Sequence, residues 1–224
     1  MEIKADVAME QLEFGRQLKK PQGDLGIITA EKMNQTNRLL YELAFSMLDF
    51  EDNKKLLEIG FGNGKFIRKY FDVNSTLSIT GLDFSDTMYS EAVENNKDLV
   101  EKGKVKLILG NAICMPFDAE SFDFAVTLNT IYFWTPLEKY LSEISRVLKA
   151  GGRLLIGYRP KESMENFAFT KEEFCLYIPD EIRNVIKSSG FRCIEEKISE
   201  DVRKTIDGTV IKSTDICVLA EKVR

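Results

Sequence analysis

Residues 56–66 read LLEIGFGNGKF, an apolar run around one carboxylate followed by glycines at positions 60, 62 and 64. An apolar run that ends in such a turn and opens an amphipathic segment is a strand–turn–helix junction, where a ligand can approach the backbone closely. A dinucleotide, another adenosine cofactor, or no ligand at all are the three occupants to weigh. The dinucleotide fingerprint GxGxxG needs a glycine at 65, where Lys65 stands, and no GxxxxGK[ST] phosphate loop occurs. Glu58, two residues ahead of Gly60, would repel a pyrophosphate but suit a ligand carrying positive charge. Roughly 20 residues on, LSITGLDFS (77–85) puts Asp83 at the end of a second apolar run. A carboxylate there can accept both hydroxyls of a ribose, or else cap a helix. LILGNAICMPF (107–117) puts Asn111 after a third run, where an amide could meet an adenine amino group or simply make a turn.

The residue inventory limits the chemistry further. The 224 residues include no histidine, so histidine-based triads are excluded and any proton transfer must use Asp, Glu, Tyr, Lys, Cys or water. Cys114, Cys175, Cys193 and Cys217 are scattered without a CxxC pair, which points to free thiols in a reducing cytoplasm and to no metal site. The net charge is −5 and the pI about 5.1, a balance that disfavours a nucleic-acid partner. No apolar run approaches the roughly 20 residues that span a bilayer. MEIKADVAMEQLEFGRQLKK carries acids and no apolar stretch of the kind a signal peptide needs, so a cytoplasmic protein is expected.

The elements that must position these residues alternate. Residues 1–30 are mixed, and PQGDLG carries Pro21, Gly23 and Gly26, which break any helix there. Over 31–48, Met33, Leu40, Ala44, Met47 and Leu48 share one helical stripe. Strands are then expected at 55–60, 77–83, 105–109, 121–129 and 153–158, with helices at 65–71, from the Ser85 N-cap to Gly103, at 137–150 and at 180–189. Two final strands, 193–198 and 216–221, follow each other without a helix. The pattern implies a doubly wound α/β fold, with a mostly parallel, seven-stranded, Rossmann-like sheet and a C-terminal antiparallel edge hairpin. One domain is expected overall: residues 1–50 as a helical lid packed on 51–224. Ligands of such sheets bind beyond the carboxyl ends of the central strands, where the glycine turn lies.

Five segments in register, LLEIGFGNG, GLDFS, GNAICMPF, FDFAVTLNTIYFW and RVLKAGGRLLIG, resemble the class I S-adenosylmethionine-dependent methyltransferases, in particular their type 11-like, small-molecule branch. The resemblance covers residues 55–158 and implies S-adenosylmethionine as cofactor. It implies that Gly60, Phe61, Gly62 and Gly64 approach the methionine portion, with Glu58 near its ammonium end. It places Asp83 at the ribose, Phe84 beside the adenine, Asn111 at the adenine amine, Ala112 as a backbone contact and Asn129 below the sulfonium. Asn111 stands where many members of the family have Asp.

The acceptor is less defined. Methyl transfer from a sulfonium is an in-line displacement that needs a base only when the acceptor keeps its proton, which suits a chain without histidine. The Asn/Asp-Pro-Pro-aromatic motif of base-amino methyltransferases is absent. In its place Tyr132, Phe133 and Trp134 either wall a pocket or pack the next helix, and Tyr132 and Asn129 are the candidates to act on the acceptor. Asn34 and Asn37, one helical turn apart, could face the same pocket. Segment 159–179 offers Phe167, Phe169, Phe174 and Tyr177 as a second wall, and Tyr132, Glu165 and Asp24 are the available bases. A small-molecule acceptor is expected, without nucleic acid or membrane, and a homodimer is left open. An RNA or protein methyltransferase on the same fold and a catalytically silent binding subunit are the alternatives.

Overall fold

The computed structural model describes residues 2–204 and 210–223. Three helices precede the sheet: α1 (Glu2–Lys19), α2 (Gly23–Thr36) and α3 (Arg38–Phe45). Strands and helices then alternate as β1 (Lys55–Ile59), α4 (Ile67–Val73), β2 (Ser78–Asp83), α5 (Asp86–Asn95), α6 (Lys97–Glu101) and β3 (Val105–Leu109). There follow β4 (Phe122–Leu128), a 3-10 turn at Ile131–Phe133, α7 (Leu137–Val147), β5 (Leu148–Tyr158) and the short α8 (Lys161–Met164) and α9 (Thr170–Glu173). The chain closes with α10 (Pro179–Ser188), β6 (Phe191–Lys204) and β7 (Val210–Lys222).

The strands form one sheet in the order β3-β2-β1-β4-β5-β7-β6. β1 to β5 run parallel, and β7 enters antiparallel between β5 and β6. The expected seven-stranded, doubly wound sheet with a C-terminal antiparallel hairpin is therefore present, with β6 as its outer strand. Runs such as LLEI in β1 and FAVTL in β4 are apolar on both sides because helices cover both faces. On one face, Leu57, Ile59 and Ala125 pack with Leu141 and Ile144 of α7 and Ile182 and Ile186 of α10. On the other, Leu56, Val126 and Leu155 pack with Leu40 of α3 and Tyr70 of α4. The strand order reverses between β1 and β4, so a crevice opens beyond their carboxyl ends.

Several elements differ from expectation for identifiable reasons. α2 begins at Gly23 and runs through Gly26, because a Cβ at Gly26 would press on the Pro21 backbone that the helix crosses closely. The expected helix over 31–48 is two helices that break at Asn37. The helix expected from Ser85 to Gly103 likewise breaks at Asn96, whose buried amide donates to Gly64 O at 3.1 Å and Ala92 O at 3.0 Å. Ser85 does cap α5, accepting from Met88 N at 3.2 Å. The terminal strands are longer than 193–198 and 216–221. β5 pairs with β7 only as far as Tyr158↔Ile216, so the β6–β7 ribbon continues past the carboxyl end of β5 on the crevice side. Among the described residues, no helix is long and apolar enough to cross a membrane.

Candidate functional site

The crevice is one cleft of about 620 Å³, a size ordinary for small-molecule sites. One end is built from the junctions after β1, β2 and β3. At the β1 turn, Gly60 takes φ +77° and Gly62 φ +56°, the left-handed region that side chains avoid. A Cβ on Gly60 would drive into the Thr130 methyl, whereas one on Gly62 would meet nothing within 4 Å and would fill the cleft itself. The turn is thus a cradle kept open by missing side chains.

Asp83 closes this end. Its Oδ2 accepts from Gly62 N at 2.9 Å and its Oδ1 from Ser85 N at 2.9 Å. Burial pushes the carboxyl up to about 6, against the pull of backbone N–H groups of Ser85, Gly62 and Phe84. Each oxygen retains a lone pair for a hydroxyl donor. Phe84 is 38% exposed, with the Lys20 ammonium 5.6 Å from its ring centroid. Asn111 Oδ1 accepts from Ile113 N at 3.1 Å, an Asx turn that leaves its amide nitrogen unspent. The chain before α2 covers this end: Ser85 Oγ donates to Pro21 O at 2.5 Å and Gly23 N to Thr87 Oγ1 at 3.1 Å.

The other end is floored by side chains from β4, β5, β7 and the α2–α3 break. Asn129 ends β4 at φ +57°, a conformation Asn tolerates better than most residues. Its Nδ2 donates to Asn37 Oδ1 at 2.9 Å, and its Oδ1 lies 3.1 Å from the Tyr132 hydroxyl. That hydroxyl accepts from Arg159 N at 2.6 Å. The Arg159 guanidinium donates to Asp215 Oδ1 (2.9 Å), Thr36 O (2.9 Å) and Asn37 Oδ1 (3.3 Å). Burial raises the Tyr132 phenol well above its usual range, so it is a poor base at neutral pH. The walls are aromatic: Phe133 and Phe169 meet Phe174 at 4.8 and 5.7 Å between centroids, and Phe14 of α1 meets Phe169 at 5.3 Å. Trp134 stacks on Tyr140 at 5.0 Å.

The cleft therefore brings together Gly60, Phe61, Gly62, Asp83, Phe84, Asn111, Ala112 and Asn129 with Asn34, Asn37, Tyr132, Phe133 and Trp134. Gly64 and Glu58 do not line it. Glu58 lies beneath Tyr41, accepting from its hydroxyl at 3.2 Å, with Oε2 unpaired beside the glycine turn. Burial pushes its carboxyl up to about 8. Asp24 and Glu165 are exposed and away from the cleft, so neither serves as a base there. Sequence reasoning missed Arg159, Asp215, Tyr41, Thr29 and Phe14. Only Arg159 left a trace, as a charged residue at the carboxyl end of an apolar strand.

Comparison with known proteins agrees with this geometry. Residues 57–156 match a family described as a methyltransferase domain. An uncharacterised methyltransferase of Bacillus subtilis, YdaC, is 28% identical over 163 residues, covering 73% of this chain and 85% of that protein. An O-methyltransferase of Pyrenophora dematioidea is 27% identical over 167 residues, covering 71% of this chain and 62% of the relative. In structure, a putative methyltransferase solved in complex with the Trm112 methyltransferase activator of Haloferax volcanii superposes with a TM-score of 0.73 at 17% identity, over 87% of this chain and 94% of that one.

Proposed function

Because the chain belongs to the class I S-adenosylmethionine-dependent methyltransferases, we propose that it methylates a small, largely apolar acceptor by in-line displacement. The observation that carries this reading is the continuity of the cleft, from the Gly60–Gly62 cradle and Asp83 at one end to the Phe133, Trp134, Phe169 and Phe174 walls at the other. The cofactor supplies a methyl group activated on a sulfonium.

In this reading Asp83 accepts the ribose hydroxyls, Phe84 flanks the adenine, and Asn111 and Ala112 meet its edge. Gly60 and Gly62 bring backbone N–H groups to the methionine portion. Asn129, pinned between Asn37 and Tyr132, fixes the boundary between cofactor and acceptor. The N-terminal helices and the aromatic wall exclude water and hold the acceptor in line, which is most of what such a displacement asks of a protein. The roofed cleft and the net charge of −5 favour a small molecule over RNA. Four free cysteines suit a reducing cytoplasm.

The test is titration calorimetry with S-adenosylmethionine, S-adenosylhomocysteine and NAD in parallel, followed by methyl transfer to a panel of small acceptors. Binding of the first two alone, with turnover, is expected. Binding without turnover on any acceptor would favour the silent-subunit alternative, and tight NAD binding would overturn the reading.

A further inference from the structure

We propose that the acceptor is a flat, apolar molecule that offers an oxyanion, such as an acidic phenol or enol, to the methyl, and that the protein supplies it no base. The proposal rests on the methyl-transfer reading above and names the acceptor class for the same cleft.

The first observation is the set of ionisable groups at hand. Among the described residues the cleft is lined by one carboxylate, Asp83, with Lys19, Arg159, Tyr41, Tyr132 and Tyr140. Asp83 ends β2 and is tied to the glycine turn. Strands lie about 4.8 Å apart, so it stands roughly 10 Å from the end of β4 and roughly 14 Å from the end of β5, where the acceptor floor lies. Lys19 is paired with Glu173 at 2.7 Å. Tyr132 is held between Asn129 and the Arg159 backbone, and burial raises its phenol. No group at the acceptor end is placed to take a proton, and no anion is placed to receive an ammonium, which would be costly to desolvate alone.

The second observation is the polarity of what remains. Arg159 brings a cation to the floor, and cation and indole N–H groups donate only. Trp134, the single tryptophan of the chain, is 6% exposed, and its indole N–H makes no hydrogen bond to the described residues. A buried donor without a partner is costly unless a ligand or water satisfies it. Donors of this kind complement an oxygen that carries charge. The third observation is the aromatic chain Phe14–Phe169–Phe174–Phe133, whose rings offer faces and edges to a planar body.

The step balances without a proton. A lone pair of the acceptor oxygen forms the O–C bond as the C–S bond breaks, and that bond's electron pair returns to sulfur. An anion and a sulfonium become a neutral ether and a neutral thioether. A dry, apolar site favours this loss of charge.

The experiment uses the full chain saturated with S-adenosylhomocysteine and titrates 4-nitrophenol, 4-cyanophenol, 4-methylphenol and benzylamine by calorimetry. Methyl transfer from S-adenosylmethionine is measured on the same four across pH. The more acidic phenols are expected to bind at least tenfold tighter than benzylamine. Transfer should rise with pH along a limb that moves with each phenol's own acidity and persists in Tyr132→Phe. Trp134→Phe, which keeps the ring, should weaken phenolate binding about tenfold while leaving S-adenosylhomocysteine affinity unchanged. Preferred binding or methylation of benzylamine, a pH limb that stays fixed across the phenols, or no phenol binding by the loaded protein would each overturn the proposal. Failure to bind S-adenosylhomocysteine is a separate result that overturns the methyltransferase reading instead.

Discussion

Asp83 and Glu58 are buried carboxylates on adjacent strands, and what each faces decides what its removal does. Asp83 lines the cleft and organises the glycine turn through Gly62 N and Ser85 N. Asp83→Ala is expected to weaken S-adenosylhomocysteine binding by more than tenfold in calorimetry, and an unchanged dissociation constant would move the ribose elsewhere. Its carboxyl titrates near 6, and only the ionised form accepts from both hydroxyls, so affinity should fall as pH drops through that value. Glu58 is lifted to about 8, chiefly by burial. A folded pKa above the unfolded one means that its contribution to stability is complete below about 4.5 and is lost as pH rises through 8. Glu58→Gln should therefore flatten the decline in unfolding free energy between those values in urea titrations, and leave cofactor affinity within about threefold. A steep decline that persists in the variant would assign the pH dependence to another group. Asp83 was legible in the sequence because a strand end dictates where its residue points. Glu58 was not, since its side chain turns toward Tyr41 and that contact is made from a helix 17 residues away.

The junction after β1 is held in shape by the loop after β4. Thr127 Oγ1 donates to Ile59 O at 3.0 Å and shares a hydrogen bond with Thr130 Oγ1, which holds the Thr130 methyl against Gly60. Gly60→Ala is expected to cost about 2–4 kcal/mol from overpacking together with a strained φ, and to abolish measurable cofactor binding. Adding Thr130→Ser removes the obstructing methyl and keeps the hydroxyl, so it should restore part of the stability but not the strain component. Thermal unfolding of the two variants with and without S-adenosylhomocysteine reads both effects, and a neutral Gly60→Ala would show that the turn adapts. At this scale the strands were legible from apolar runs, and β3 lies where its run predicted. The helix breaks were not. Asn37 and Asn96 sit in otherwise helical patterns and interrupt them because their amides serve Asn129 and Gly64, which are remote in sequence.

Helices from the start of the chain, the fifth strand and the last strand meet at one ion pair. Arg159 Nε lies 2.9 Å from Asp215 Oδ1, with side chains 9% and 2% exposed, while its Nη2 holds the end of α2 through Thr36 O. No local pattern could reveal this, because the partners are 56 and 123 residues apart. The whole-sheet topology was readable from element order, yet the link that fastens the N-terminal helices to the C-terminal ribbon depends on where β7 inserts. Breaking one side of a buried pair leaves an uncompensated charge, so Asp215→Leu is expected to cost about 3–5 kcal/mol in urea unfolding. The double variant Arg159→Met, Asp215→Leu removes both charges at similar volume and should recover most of that loss. Its cofactor affinity should stay near that of the unaltered chain, because Asp83 and the glycine turn stand at the other end of the cleft. Acceptor binding should nevertheless fall, since the floor loses its cation and Asn37 loses a donor. A double variant as unstable as the single one would show that the packing of β7 against β5, rather than the ion pair, joins the two halves of the site.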